Sequence, residues 1–395
     1  MGKGRIAFVP PRYGDDVVGG AETVLRQAAE RLAARGWEVD ILTTCARDHY
    51  TWANAYPPGS ERDGDLTVFR FPVVHPRDSS EWQGLDRRIR LGSSLSAAEQ
   101  QAWVNGRFRV PGLFHHLVAQ AHTYRAIVFS PYLFWTTVIG ATVAPERTVV
   151  IPCLHDENYA YLPVFRPLLS GSAQVWFMSE PEHQLAHRIG PVAETHPVTG
   201  EGVLIPQAYD PEGFRARHGL TRPYVLFAGR RESGKGWQEL LRALSRAVVR
   251  LGVDLDLVTF GVGWVNPPSE IADRVRNLGW LPDEEVGDAY AAAAAYIQPS
   301  LFESFSRTIM ESWLAGTPVI ANTACEVVRW HCERSGGGLL YTDDYELAQY
   351  LALVADAGEG ATLRQLGARG RDYVLANYTW EAALDRMEAA LEEMP

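Results

Sequence analysis

The chain has 395 residues, enough for two or three domains and for a core that needs no disulfide or metal to hold it. Hydrophobic residues make up 46% and charged residues 22%, a balance typical of globular proteins, which excludes a disordered chain. The 37 basic and 48 acidic residues give a net charge of −11, which argues against a nucleic-acid partner, because non-specific nucleic-acid binding requires a basic surface.

The chain opens with a pattern typical of a βαβ unit. The apolar run at 5–9 ends at two prolines and predicts a buried strand. A loop with Gly19 and Gly20 follows, and apolar residues at helical spacing then predict a helix over 21–35. Residues 37–42 predict a second strand. Strand, glycine loop, helix and strand together indicate a parallel sheet covered by helices.

The same pattern continues along the first half of the chain, with strands predicted at 126–129, 148–151 and 174–177. The segment 75–112 differs, because it carries arginines at 87, 88, 90, 107 and 109 with aromatic residues among them, at 82, 103 and 108. It predicts an insertion of helices and loops whose basic residues form either a solvated helix face or a lip that binds the acceptor.

A second series of strands and helices follows a polar stretch at 195–207 that predicts a linker. Its predicted elements are a strand at 224–229, a helix from Trp237, and strands at 256–261 and 294–299. We therefore predict an N-terminal domain over 1–200, a C-terminal domain over 201–377 and a C-terminal helix over 378–395 that crosses back to the first domain. Two open α/β domains of this kind predict ligand binding at the carboxyl ends of their strands, in a cleft between them.

The sequence also predicts the compartment. No apolar run approaches the ~18 residues of a membrane span, and the N-terminal residues lack the pattern of a signal peptide. The four cysteines form no Cys-x-x-Cys pair, so neither a zinc ribbon nor a disulfide framework is predicted. We expect a cytoplasmic protein with reduced thiols and no integral membrane segment.

The loop 229–236 is the first candidate for chemistry. It follows a strand, opens a helix and reads G-x-x-x-x-G-K, seven of the eight positions of a nucleotide-binding P-loop. The eighth position is Gly236, which lacks the hydroxyl that holds magnesium. The loop keeps two cations, Arg230 and Lys235, near a helix N-terminus, and this set suits a diphosphate without a dedicated metal.

The second candidate begins at Glu303, just after a predicted strand. Ser306 predicts the N-cap of a helix, and Glu311 lies about 7–8 Å along that helix at 1.5 Å per residue. A nucleotide whose phosphates lie at the helix N-terminus would place its ribose beside Glu311. Glu303 would then reach a group beyond the phosphates.

These two glutamates carry a resemblance. The run PSLFESFSRTIMESWLAGTPVIAN resembles the E-x7-E motif of retaining GT-B glycosyltransferases of the family-4, or glycosyl transferases group 1, type. Further segments agree with that family in order and spacing: GGAE at 19–22, IPQAYD at 205–210, the glycine loop at 229–236 and LGWLP at 278–282. The resemblance covers residues from about 200 to 380 and only short segments before them.

The resemblance implies the GT-B fold, two Rossmann-like domains that face each other across a cleft, and a role for each matched residue. Cations and main-chain amides would hold the donor diphosphate: Arg230, Lys235, Ser306 and Arg307, with Gly19 and Gly20 from the first domain. Glu311 would bind the ribose, and the Leu281 main chain would touch the base. Glu303 and His155 would contact the donor sugar as the catalytic residues. The family usually has glycine at Ser306 and a small apolar residue at Arg307, so the chain departs from it there.

The activity implied is metal-independent retaining transfer of a hexose from a nucleoside diphosphate sugar, with UDP or GDP as nucleotide, to a hydroxyl of a small molecule or glycan. No cofactor and no metal ligands are predicted. Two alternatives stay open at this point: a non-catalytic subunit that binds a nucleotide sugar, and an ATP-using P-loop protein. Turnover of a donor by the single chain would distinguish an enzyme from the non-catalytic subunit. The P-loop alternative would require magnesium-dependent ATP hydrolysis.

Overall fold

The computed structural model describes residues 3–17 and 19–394, with Ala357 described by its backbone. The chain forms two compact units. Unit 1 comprises Met1–Gly202 and Glu381–Pro395, and unit 2 comprises Val203–Trp380. Each unit is built on one sheet, and each sheet is described separately below.

The sheet of unit 1 is almost entirely parallel. Its strands are β1 (Arg5–Val9), β2 (Glu38–Thr44), β3 (Gly59–Asp63), β4 (Leu66–Phe71), β5 (Ala126–Phe129), β6 (Thr148–Val150) and β7 (Gln174–Val175). The strand order is β3-β4-β2-β1-β5-β6-β7. Strand β3 alone is antiparallel to its neighbour, and sequence reasoning missed this hairpin. The pair Gly64-Asp65, which forms its two-residue turn, is the signal that could have found it.

Among the described residues, the α-helices of this part of unit 1 are α1 (Gly20–Ala34), α2 (Ser80–Arg90), α3 (Ala97–Gly106), α4 (Pro111–Gln120), α5 (Trp135–Gly140), α6 (Arg166–Gly171) and α7 (Glu180–Ile189). The predicted insertion corresponds to α2, α3 and the start of α4. Its apolar side chains join the core of unit 1, among them Ile89 and Trp103. On the outer face, Arg88 pairs with Glu99 at 2.5 Å, so part of the basic charge is neutralised within the insertion.

Unit 2 has a fully parallel sheet. Its strands are β8 (Tyr224–Ala228), β9 (Asp256–Phe260), β10 (Val275–Asn277), β11 (Ala295–Gln298), β12 (Val319–Asn322) and β13 (Gly338–Tyr341), in the order β10-β9-β8-β11-β12-β13. The helices are α8 (Pro211–Arg217), α9 (Trp237–Leu251), α10 (Asp283–Ala291), α11 (Arg307–Leu314), α12 (Glu326–Ser335), α13 (Asp344–Ala355) and α14 (Gly360–Asn377). The central strands are buried and read as continuous apolar runs, because helices cover both faces. The predicted fold class, two Rossmann-like parallel sheets, is confirmed.

The last helix, α15 (Trp380–Glu392), packs on unit 1. Glu388 accepts hydrogen bonds from Lys3 at 2.5 Å, Trp37 at 2.8 Å and Arg35 at 2.9 Å. The guanidinium of Arg125 donates to the carbonyl of Leu391 at 2.9 Å. These contacts join the C-terminal helix α15 to the N-terminal part of the chain within unit 1.

The four cysteines are free thiols, as the absence of Cys-x-x-Cys pairs predicted. Among the helices that the structure describes, none has both the length and the apolar character needed to cross a membrane.

Candidate functional site

The loops that follow β8 and β11 lie side by side in unit 2. These two strands are neighbours in a parallel sheet, so their carboxyl ends meet at one edge. The amide of Leu301 donates to the carbonyl of Gly234 at 3.0 Å, which joins the two loops. The predicted diphosphate loop and the segment that contains Glu303 are thereby brought together.

Gly236 is required at its position by the backbone. Its φ is +67°, and a Cβ there would lie 2.1 Å from the carbonyl oxygen of Pro299. A serine or threonine, as a P-loop needs, would therefore displace the loop after β11. The departure from the P-loop pattern is a consequence of close packing between the two loops.

Lys235 and Glu303 form an ion pair at the centre of this region. Lys235 Nζ lies 2.7 Å from Glu303 Oε1, and both side chains are mostly buried. The amide of Gln298 donates to the same Oε1 at 2.9 Å and to Ser306 Oγ at 2.7 Å. Gln298 was missed by sequence reasoning, and its signal was a polar residue at the end of an apolar strand. It links Glu303 to the start of α11.

Ser306 occupies the predicted N-cap position of α11, but its side chain makes no capping hydrogen bond. Its φ is +71°, in the left-handed region that favours glycine, and its Oγ accepts from Gln298 instead. The expectation that the Ser306 side chain caps the helix was therefore wrong. The conformation also explains why glycine is usual at this position in the family that the sequence resembles.

Arg307 and Glu311 lie one turn apart on α11. Arg307 Nε is 3.4 Å from Glu311 Oε1, and the hydroxyl of Tyr290 donates to Glu311 Oε2 at 3.3 Å. Burial raises the pKa of Glu311, and the charge of Arg307 and the Tyr290 hydrogen bond oppose that shift. The Glu311 side chain is 31% exposed, so its carboxylate can still accept from a ligand hydroxyl.

The two arginines of the glycine loop have different surroundings. The Arg230 side chain is 52% exposed and lies 3.2 Å from Glu232. The Arg231 guanidinium is buried and donates to the carbonyls of Gly261 at 2.8 Å and Gly263 at 3.0 Å. Arg231 therefore holds the loop after β9, and only Arg230 of the two can reach a ligand.

Leu281 is buried in the loop that follows β10. The carbonyl of Gly279 in this loop accepts from the amide of Gly261 at 2.6 Å, so the loops after β9 and β10 are joined. Leu281 belongs to the same carboxyl edge of the sheet as the glycine loop, because β10, β9 and β8 are consecutive parallel strands.

In unit 1, His155 lies in the loop after β6. Its Nδ1 is 3.7 Å from Glu157 Oε1. The preceding amide, that of Leu154, donates to the carboxyl of Glu182 at 2.6 Å, and the amide of Met178 donates to the other oxygen of that carboxyl at 2.6 Å. Glu182 was missed by sequence reasoning. Burial raises its pKa to about 8 against the opposing effect of the two amides, and the side chain fixes the backbone beside His155.

Gly19 and Gly20 form the start of α1 in unit 1. A Cβ at Gly19 would lie 2.2 Å from the carboxylate of Glu22, which pairs with the buried Arg12 at 2.6 Å. Gly20 is exposed, and a Cβ there would meet nothing within 4 Å. The main chain at the start of α1 is thus accessible, as a phosphate-binding helix N-terminus requires.

Comparisons with known proteins agree with this geometry. A family model described as glycosyl transferases group 1 matches residues 222–356. The chain is 32% identical over 361 residues to the phosphatidyl-myo-inositol mannosyltransferase of Mycolicibacterium smegmatis, an alignment that covers 86% of this chain and 81% of that protein. It is 30% identical to the MMP alpha-(1->4)-mannosyltransferase of Mycolicibacterium hassiacum over 203 residues, 48% of each chain. The structure of Anabaena HepE in complex with UDP and glucose has a TM-score of 0.69 at 18% identity, covering 98% of this chain and 99% of that one.

Proposed function

The chain belongs to the glycosyl transferases of group 1 and has the GT-B fold of these enzymes, and we propose that it is a retaining, metal-independent hexosyltransferase that uses a nucleoside diphosphate sugar. The observation that carries the proposal is the Lys235–Glu303 ion pair beside the start of α11. It supports the proposal because a cation that could bind the diphosphate lies next to a carboxylate that could accept from the sugar, which is the order of groups in the donor.

The diphosphate is the leaving group, and its negative charge grows as the glycosidic bond breaks. Lys235, the exposed Arg230, and Arg307 at the first position of α11 supply positive charge on this edge of the sheet. The partial positive charge of the helix N-terminus adds to it. These groups can do for the leaving group what a divalent cation does elsewhere, and Gly236 has no hydroxyl to hold a metal.

Binding requires the Lys235–Glu303 pair to rearrange. A phosphate oxygen competes with Glu303 for the lysine, and the released carboxylate can accept from hydroxyls of the sugar. Glu311 is 8 residues further along and accepts from the ribose. Because a carboxylate in this role positions hydroxyls, Glu303 differs from the nucleophile of retaining glycosidases.

The remaining assignments rest on the resemblance. We assign a main-chain contact with the base to Leu281, phosphate contacts to the amides of Gly19, Gly20 and Ser306, and a role at the sugar to His155. Relatives named as mannosyltransferases and a neighbour bound to UDP and glucose support a hexose as the sugar, and that neighbour supports UDP as the nucleotide. GDP is the other nucleotide that we propose. The acceptor is a hydroxyl of a small molecule or glycan.

A panel of UDP-, GDP-, ADP- and TDP-hexoses tests the proposal. Thermal shift identifies the donor, because a ligand that binds the folded chain raises its stability. Release of nucleotide with that donor should then fall strongly in Lys235→Ala and remain normal in Arg242→Ala, which removes an exposed positive charge from α9 of the same unit. Donor binding without turnover under any acceptor tested would favour the non-catalytic alternative.

Two further measurements test stereochemistry and metal dependence. NMR of the product should show the anomeric configuration of the donor, and an inverted product would contradict retention. Transfer should persist in EDTA; its loss in EDTA and recovery with manganese would contradict metal independence.

His155→Ala should lower turnover far more than nucleotide affinity, and unchanged turnover would make His155 structural.

A further inference from the structure

Helix α7 of unit 1 carries two histidines one turn apart, on the same helix as Glu182. His183 Nε2 and His187 Nε2 lie 3.1 Å from each other, and Glu194 Oε1 lies 3.6 Å from His187 Nε2. The ligand atoms of the three residues all lie within 4.8 Å of one another. Glu194 belongs to the segment that follows α7, so the cluster joins two parts of the chain.

The distance between the two nitrogens suits a shared metal ion. With metal–nitrogen bonds of about 2.0–2.1 Å, two adjacent ligands of one ion lie about 2.9–3.4 Å apart in octahedral or tetrahedral geometry. The alternative is one N–H···N hydrogen bond between two neutral imidazoles. The carboxylate of Glu194 adds a third possible ligand atom beside the two nitrogens.

The first ligand is held in place before any ion binds. The ring of His183 is buried and stacks on Phe177, with centroids 4.5 Å apart and planes at 21°. Its imidazole also makes a hydrogen bond to the backbone at Ala193. The stacking and the backbone contact together restrict the orientation of the ring.

The other two ligands give an ion access from solvent. The His187 side chain is 31% exposed and that of Glu194 is 86% exposed. His196 lies near both histidines, and Glu180 adds negative charge on the same helix.

We propose that His183, His187 and Glu194 bind one divalent transition-metal ion of the Zn²⁺ type. Two imidazoles and a carboxylate are borderline ligands that suit zinc, cobalt and nickel and suit calcium or magnesium poorly. The ion would clamp α7 to the segment that follows it. The sequence predicted no metal ligands, because Glu194 joins the two histidines only through the turn after α7.

Titration of the purified full chain with Zn²⁺ tests the proposal, after removal of any affinity tag and treatment with a chelator. Calorimetry should show one saturable site per chain. His187→Ala and Glu194→Gln should each weaken Zn²⁺ binding at least about 10-fold, as loss of a ligand does. Both residues are exposed to solvent, so their variants should fold, and circular dichroism verifies this.

His122→Ala is the matched control, because His122 is an exposed histidine of unit 1 outside the cluster. Its Zn²⁺ affinity should equal that of the original chain. Equal affinity in His187→Ala, or no saturable binding by the original chain, would overturn the proposal. Because EDTA would also empty this site, the metal dependence of transfer should be measured in His187→Ala as well. The two proposals can then fail separately.

Discussion

At the scale of single residues, the cations of the proposed donor site already have acidic partners in the structure. Lys235 pairs with Glu303, Arg307 with Glu311 and Arg230 with Glu232. A donor phosphate must therefore displace carboxylates rather than fill an unneutralised positive pocket. This exchange favours ligands that offer both a diphosphate for the cations and hydroxyls for the released carboxylates.

Lys235→Ala and Glu311→Gln should weaken binding of different ligands. Lys235→Ala should weaken a nucleoside diphosphate about 10- to 150-fold and a nucleoside hardly at all, because a charged hydrogen bond contributes about 1.5–3 kcal/mol. Glu311→Gln should weaken the monophosphate and diphosphate alike, since both carry the ribose. Calorimetry with nucleoside, monophosphate and diphosphate measures this. Equal weakening of all three ligands by Lys235→Ala would show that this loop does not bind phosphate.

Glu303→Gln should separate binding from turnover. The glutamine side chain cannot form an ion pair with Lys235, so the lysine is free to bind phosphate. A nucleoside diphosphate without sugar should therefore bind about 2- to 5-fold more tightly, which corresponds to at most about 1 kcal/mol. Transfer should fall, because the sugar loses its carboxylate. Calorimetry and a transfer assay on the same preparation give both values. Weaker binding of the free diphosphate would contradict competition between Glu303 and phosphate.

Substitutions at Ser306 should show the effect of its backbone conformation. Ser306→Ala keeps the left-handed φ and loses the hydrogen bond from Gln298, so it should destabilise the protein by about 1 kcal/mol. Ser306→Gly loses the same bond and relieves about 1–2 kcal/mol of backbone strain. Urea unfolding should therefore find the glycine variant more stable than the alanine variant. The reverse order would mean that the left-handed φ carries no strain.

At the scale of elements, α9 begins and ends with a left-handed glycine. Gly236 at its start has φ +67° and packs against Pro299, whereas Gly252 at its end has φ +72° and nothing within 4 Å of a Cβ. The two positions share a backbone conformation and differ in their surroundings. Alanine substitutions at the two positions therefore distinguish the free-energy cost of the backbone conformation from the free-energy cost of close packing.

Gly236→Ala should destabilise the protein by about 2–5 kcal/mol, the sum of left-handed strain and overpacking against the loop after β11. Gly252→Ala should cost only about 1–2 kcal/mol, from conformation alone. Chemical denaturation of both variants measures the difference. Donor affinity should fall in Gly236→Ala alone, because only that substitution displaces the segment that holds Glu303. Equal costs would contradict the close approach.

At the scale of the whole molecule, unit 1 is completed by residues from the end of the chain. Glu388 of α15 accepts from three side chains of the N-terminal part, those of Lys3, Arg35 and Trp37. Burial raises the pKa of Glu388, the three hydrogen bonds lower it by more, and the net shift is downward. The stabilisation is therefore present above the ordinary carboxyl pKa of 4.5 and is lost as the pH falls through the lower value of the folded chain.

Glu388→Ala should destabilise unit 1 by about 1.5–3 kcal/mol, because the buried Trp37 N–H loses its acceptor and Lys3 and Arg35 each lose an ion pair. Asp385→Ala, on the same helix, should cost less than about 1 kcal/mol, because Asp385 is 72% exposed and pairs only with Arg35 among the described residues. Hydrogen exchange of α15 and β1 at neutral pH measures both. Similar protection in the two variants would contradict the role of Glu388.

The sequence by itself determined the two parallel sheets and most of their strands, because buried parallel strands are continuous apolar runs ended by glycine and proline. It also predicted Lys235, Glu303 and Glu311 as candidate site residues, the two glutamates through the resemblance to a family, and their roles stay predictions. The strands β3, β4, β10, β12 and β13 were not predicted. In β3 all residues are exposed, so it carries no apolar pattern.

The tertiary structure decided the rest. Whether Arg230 or Arg231 faces solvent, whether Ser306 caps its helix, and which carboxylate Lys235 meets all depend on contacts between loops that are distant in sequence. The same holds for Gln298, for Glu182 behind His155, and for the joining of His183 and His187 with Glu194. Local patterns specify elements, because burial and helical or strand periodicity act over a few residues. Side-chain partners are specified only when packing brings separate elements together.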